Sequence, residues 1–216
     1  TSKTKFQYLK KKLNEYYING KVRNKILKIM KKNNEIITPS QLEKKGISRV
    51  YLSRMERKGI IEKIDRGIYV TKDFKYDEYY LFQLKYPKAV FSYNTALYFY
   101  EMTERTPIKM DVTVYREYNP HRFKDFVNVY KISKELYNLG VTEKKSPQGM
   151  KVKTYNLERT VCDIIKNKDS IDIEIRNKAI KKAIKSKEFN ASKMFEYAKK
   201  MNIYDKVKNY MEAIIW

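Results

Sequence analysis

Cysteine, histidine and glycine are scarce in this chain of 216 residues. Its one cysteine, Cys162, excludes an intrachain disulfide, and with one histidine, His121, it does not supply the ligands of a structural zinc site. The lack of framework disulfides points to a reducing compartment, the cytoplasm. The six glycines form no Walker-type phosphate loop and no G-x-S-x-G nucleophile elbow. No long apolar span, signal peptide or lipidation motif is visible, so no membrane partner is expected. Nothing in the sequence calls for a cofactor. Asp111 and Glu117, on an expected strand, come nearest to an acid pair for metal-dependent nuclease or nucleotidyl-transfer chemistry. Such sites need two or three carboxylates converging on a metal. A nucleotidyltransferase would also need a Gly-Ser turn before its paired aspartates, and none is present. Asp111 therefore reads as a turn residue at a strand start, and the chain is expected not to be an enzyme.

Positive charge is what the chain has in excess. The formal net charge is +23, and lysine supplies 38 of the 48 basic residues. Lys, Ile, Asn and Tyr share A/T-rich codons, so base composition alone predicts an even spread of lysine. The spread is uneven. Residues 1–73 hold 20 basic and 7 acidic residues, a balance of +13, against +10 for the remaining two thirds. A dense positive field draws in a polyanion and strengthens phosphate contact.

That field surrounds residues 38–70, TPSQLEKKGISRVYLSRMERKGIIEKIDRGIYV. Thr38 is an N-cap, Pro39 sits at the first helical position where its missing N–H costs nothing, and the helix over 40–45 ends at Gly46. Ser48 caps a second helix that stops at Gly59. Apolar runs at 60–64 and 68–70 flank Asp65-Arg66-Gly67, the pattern of a tight hairpin. Helix, turn, helix and hairpin in this order predict a winged helix-turn-helix. On the second helix Leu52, Met55 and Gly59 share a core-facing side, while Val50, Ser53, Arg54 and Arg57 face outward, with Arg49 and Tyr51 at the flanks. The expected DNA-binding set is Ser48, Arg49, Tyr51, Ser53, Arg54 and Arg57 on this recognition helix, with Lys63 and Arg66 on the wing. The competing reading is a small helical domain with a hairpin and a merely solvated basic face.

Around this segment, Phe6, Leu9, Leu13 and Tyr17 predict an amphipathic helix over 3–18 that ends near Asn19-Gly20. A helix over 22–32 presents Val22, Ile26, Ile29 and Met30 to the recognition helix. The first domain, 1–73, is thus read as all-α apart from its hairpin. After a polar break at 71–76, residues 74–216 form an α+β domain. A helix over 77–86 stops at Pro87. Residues 89–102 begin extended and become a helix capped by Ser92 or Asn94. Their aromatics, Phe91, Tyr93, Tyr98, Phe99 and Tyr100, suit a core better than a platform for single-stranded bases. Segments 110–117 and 126–132 should pair as strands, and 141–142 with 150–155 as a hairpin about Pro147-Gln148-Gly149. Asn156 caps a helix to Lys166 with Leu157, Val161, Ile164 and Ile165 on its buried side, Cys162 as a small core filler, and Arg159 and Asp163 pairing at the surface. Helices over 171–187, 191–201 and 203–215 complete the chain.

The segment KGISRVYLSRMERKGIIEKIDRGIYV resembles the N-terminal domain of AbiEi-type antitoxins, from type IV toxin–antitoxin systems linked to abortive phage infection. The carrying motifs are Lys58-Gly59-Ile60-Ile61 and Arg66-Gly67-Ile68-Tyr69. Further on, FSYNTALYFYEMTERTP is similar to the family's next helix, through Ser92 to Leu97 and Pro107, and LERTVCDII to its Glu-Arg-Thr helix, at Glu158, Arg159, Thr160 and Asp163. The resemblance implies a winged-helix domain that binds operator DNA and represses its own operon. It further implies a C-terminal domain that counters a nucleotidyltransferase toxin, without need of a stable complex. It carries over no catalytic residues. The alternative is a winged-helix regulator or DNA-binding accessory subunit with no toxin partner. The helix before residue 20 departs from the pattern, as a dimerisation arm or a packing element.

Overall fold

The first amides of a helix have no partner within it, and several helices of this protein, though not all, open on a side chain that accepts them. The computed structural model describes residues 8, 12, 20–167 and 172–215. It divides into two compact units, Thr1–Tyr76 and Asp77–Trp216. The helix expected over 3–18, with Phe6, Leu9, Leu13 and Tyr17, lies outside the described residues apart from Tyr8 and Lys12, which are helical.

In the first unit residues 20–32 lie in a helix, α1. Gly20 is itself helical and lacks a left-handed φ, so it is not the expected stop. A glycine inside a helix costs only about 1 kcal/mol, which the burial of Ile26 and Met30 exceeds. Strand β1 (Ile36–Ile37) follows a turn in which Asn34 and Glu35 both have positive φ. Helix α2 (Pro39–Glu43) opens on a reciprocal cap: Thr38 Oγ1 accepts the Gln41 N–H, and Gln41 Oε1 accepts the Thr38 N–H. Helix α3 (Val50–Arg57) does not start as expected. Arg49 is its N-cap in helical conformation, with no side-chain cap bond, and Ser48 Oγ accepts only a long 3.4 Å bond from the Val50 N–H. Gly59 ends α3 at φ +64 but is exposed, not part of the core-facing side.

Strands β2 (Glu62–Asp65) and β3 (Ile68–Val70) form the hairpin around Gly67, with a bulge between Lys63 and Asp65. The unit is not all-α with a lone hairpin. β1 pairs antiparallel with β3, making a three-stranded sheet in the order β1-β3-β2. Ile26, Met30, Ile37, Leu42, Leu52, Met55, Ile61 and Tyr69 share one core.

The second unit begins at Asp77, whose carboxylate caps α4 (Glu78–Lys85) through the Tyr80 N–H and accepts the Ser146 hydroxyl. A five-stranded sheet has the order β6-β5-β4-β8-β7, with β4 (Val90–Phe91), β5 (Asp111–Tyr115), β6 (Asn128–Ile132), β7 (Val141–Lys145) and β8 (Lys151–Tyr155). The pairs β4–β5 and β7–β8 are antiparallel, and β4–β8 and β5–β6 parallel. Helix α5 (Tyr93–Phe99) follows β4, and the short α6 (Lys134–Tyr137) lies between β6 and β7.

Neither Ser92 nor Asn94 caps α5 with its side chain. Asp111, on the neighbouring strand, accepts the Asn94 N–H at 3.1 Å, while its other oxygen accepts Asn128 Nδ2 and the Tyr130 hydroxyl. Ser92 Oγ is engaged by the Thr113 hydroxyl instead. Asp111 is thus a buried cap, not a turn residue. Burial pushes its carboxyl up from the ordinary range, and the bonds from Asn128 and Asn94 pull it back. Of the aromatics near β4 and α5, Phe91, Tyr93, Phe99 and Tyr100 are buried and belong to the cores.

Helix α7 (Leu157–Lys166) starts at Asn156, whose side chain accepts the Arg159 N–H. Every residue from Leu157 to Ile165 is buried, because α5, α8 (Ile173–Ile184), α9 (Ala191–Lys200) and α10 (Tyr204–Ile215) pack around it. Arg159 and Asp163 therefore pair in the interior, at 3.0 Å, rather than at the surface. Cys162 is a core filler as expected, its thiol pushed up to about 12 by burial. Among the described residues no helix is long and apolar enough to cross a membrane.

Gly140 sits where Arg159 needs space. Its φ is +80, and an added Cβ would lie 2.7 Å from Arg159 Cβ and 2.9 Å from Asn156 Oδ1. Gly149 also has positive φ, but open space around it. Gly149→Ala is expected to cost about 1–2 kcal/mol of left-handed strain alone. Gly140→Ala adds overpacking worth about 1–3 kcal/mol more. Urea unfolding of the two variants checks this, and equal midpoints would remove the packing argument.

Candidate nucleic-acid interface

The rotation of α3 is fixed by what it buries. Leu52 and Met55 enter the core beside Leu42 and Ile61. At roughly 100° per residue this leaves Val50, Ser53, Arg54 and Arg57 facing solvent, and all four are exposed. Tyr51 lies on the flank, half-buried against the core, with the Arg54 guanidinium 5.7 Å from its ring centre. Arg57 Nε donates to the Ser53 carbonyl at 3.3 Å, which draws that side chain along its own helix. Ser48 and Arg49 are exposed just before α3.

Lys63 and Arg66 are exposed on the hairpin. Lys63 stands opposite Tyr69 in the ladder, and the Arg66 N–H donates to Asp65 Oδ1 at 2.6 Å. The structure thus gathers six of the eight expected residues on α3 and its entry, and sets the other two on the hairpin. Among the described residues, none of Arg49, Arg54, Arg57, Lys63 and Arg66 pairs with a carboxylate. Arg54 and Arg57 occupy the last turn of α3, where they complement the helix dipole. That structural role does not account for Arg49, Lys63 or Arg66. Exposed cations that no carboxylate neutralises can take phosphate oxygens or the acceptor edge of guanine.

Two cations were missed by sequence reading. Arg23 of α1 and Lys58, directly after α3, border a cavity of about 420 Å³ along the flank of α3. Arg23 stands three and seven residues before Ile26 and Met30, so helical spacing already places it at the rim of α1's buried face. No such local signal marks Lys58 as a partner of Arg23. In the second unit Asp111 and Glu117 do not converge: one is buried under β5 contacts and the other is exposed beyond the strand end. Among the described residues no group of three or more His, Cys, Asp and Glu is placed to hold a metal.

Residues 24–72 match the family described as transcriptional regulator, AbiEi antitoxin. The matched segment contains α2, α3 and the hairpin, with every residue of the expected binding set. No curated protein matches the chain. Three chains of solved structures match. Among them is the RV2827C protein from Mycobacterium tuberculosis, with a TM-score of 0.46, 10% identity, and coverage of 85% of this chain and 76% of that one.

If α3's cations are held out for a partner rather than for the fold, removing them leaves stability nearly unchanged. Arg54→Ala and Arg57→Ala are each expected to shift unfolding free energy by less than about 1 kcal/mol. Leu52→Ala should cost about 2–5 kcal/mol. Chemical denaturation of the three variants measures this. An arginine variant as destabilised as Leu52→Ala would place its side chain among the supports of the core.

Proposed function

We propose that the first unit is a winged helix-turn-helix that binds operator DNA and represses its own operon, and that the chain is a type IV antitoxin. The observation that carries this is the match of residues 24–72 to AbiEi antitoxin transcriptional regulators, over the segment that exposes arginines on α3 with no carboxylate partner among the described residues. In this reading α3 enters the major groove, Arg54 and Arg57 reach base edges or phosphates, and Ser48, Arg49, Tyr51 and Ser53 line the approach. Lys63 and Arg66 meet the backbone as the wing. The balance of +13 in residues 1–73 supplies the long-range attraction.

The second unit, on this proposal, counters a nucleotidyltransferase toxin in the cytoplasm, with no catalysis of its own. The second reading is a DNA-binding regulator with no toxin partner. It is favoured by one fact: the family match stops at residue 72, before the second unit begins. A nucleotidyltransferase gene directly beside this one separates the two.

Gel shifts on the DNA upstream of the protein's own gene test the binding site. The Arg54→Ala, Arg57→Ala double variant should lose about 1–3 kcal/mol for each base contact removed. Unchanged affinity in a folded double variant rejects this face. For the wild type, log affinity against log salt should fall with a slope of about −0.9 per phosphate contacted. A flat dependence would leave the lysine excess to base composition.

The division of labour is tested by growth. Residues 77–216 have their own apolar cores and lack α3. Expressed beside the toxin from an unrelated promoter, this fragment should restore growth without binding the operator. A soluble, folded fragment that gives no rescue, where the whole chain does, overturns the assignment of neutralisation to the second unit.

A further inference from the structure

The cavity beside α3 has the chemistry of a ligand site. Its cations are Arg23 from α1, Arg54 and Arg57 from α3, and Lys58 just beyond it, and among the described residues no carboxylate lines it. Like charges brought to one cavity repel unless a polyanion joins them. The walls are not only charged: Met55 and Ile60 contribute apolar surface, and the half-buried Tyr51 an aromatic ring. Its volume of about 420 Å³ falls within the range of small-molecule sites, roughly 300–1,000 Å³. A duplex backbone presents phosphates on a convex surface and has no use for an apolar recess. A ligand with both a planar ring and several phosphates uses every part of it.

We infer that this cleft binds a nucleoside polyphosphate, with the base against Tyr51, Met55 and Ile60 and the phosphates on Arg23, Arg54, Arg57 and Lys58. Guanidinium groups suit this because they bond phosphate oxygens in pairs. Arg54 and Arg57 also belong to the outward face of α3. An occupied cleft therefore withdraws two cations from any other polyanion. Regulation of operator binding by the nucleotide follows, and that part rests on the DNA-binding reading above. The binding itself does not.

Calorimetry on the full chain at physiological salt tests the site with the four common ribonucleoside triphosphates. Sodium tripolyphosphate and adenosine are the phosphate-only and ring-only probes. At least one triphosphate should bind, with affinity about ten-fold or more above tripolyphosphate and adenosine. The Arg23→Ala, Lys58→Ala pair, both exposed, should weaken it about ten-fold or more, while Arg66→Ala, a charge loss outside the cleft, should change it less than about two-fold. If the pair does not fold, by circular dichroism, Lys58→Glu alone should give the same weakening. No binding of any triphosphate at about 1 mM overturns the site. So does equal binding of tripolyphosphate, or equal loss in Arg66→Ala. Gel shifts then add the bound triphosphate to the protein–DNA complex. Release of DNA supports the overlap at Arg54 and Arg57. Undisturbed DNA beside a bound triphosphate overturns the overlap and leaves operator binding intact. Nucleotide binding with no DNA binding at all keeps the cleft and rejects the operator reading.

Discussion

A guanidinium taken wholly out of water must be met on several sides, and Arg159 is. Its Nε lies 3.0 Å from both oxygens of Asp163, and one terminal nitrogen donates to the carbonyls of Leu136 and Leu139. Its carbon centre lies 4.3 Å from the centre of the Tyr155 ring, and the other terminal nitrogen has no hydrogen-bond partner among the described residues. One side chain thus ties α7 to the turn between α6 and β7 and to the end of β8. Replacing such a pair with apolar residues can be neutral, but removing one partner strands a buried charge at about 3–5 kcal/mol. Gly140 belongs to the same constraint, since its missing side chain leaves Arg159 the room it occupies. Three elements of the second unit thus meet at this one side chain.

What could be read from the sequence divides along locality. Caps made within three residues, at Thr38 and Asn156, were legible, because donor and acceptor share one turn of chain. The cap of α5 was not, because its acceptor, Asp111, arrives from another strand. The i, i+4 spacing of Arg159 and Asp163 revealed that they pair but not where, since α7 is enclosed by neighbours on all sides. β1 is two residues long, too short for an alternating pattern, and its place is set by the left-handed turn at Asn34 and Glu35. The outward face of α3 followed from helical period because its opposite face is apolar. The cleft beside it did not, because Arg23 and Lys58 are 35 residues apart and meet only through the packing of α1 on α3.

The two halves spend charge differently. In the first unit the arginines of α3 stand without carboxylate partners, so their field reaches outward. In the second unit Lys144 pairs with Glu188, Lys200 with Glu196, and Arg159 with Asp163. Exposed pairs of this kind contribute about 0–1 kcal/mol, but they quench the field locally. Net charge alone would not separate a surface that attracts a polyanion from one that is merely soluble. Pairing does.

The parallel contact between β4 and β8 also governs when the chain can fold. Thr154 donates its hydroxyl to the carbonyl of Phe91 across 63 residues, and this pair joins the central strand to the second half of its sheet. During synthesis that closure must wait until residue 154 has emerged, and closing so long a loop is slow. The described sheet and core of the first unit are built from residues before 77 alone. Its basic helix can be in place while the rest of the chain is still being made.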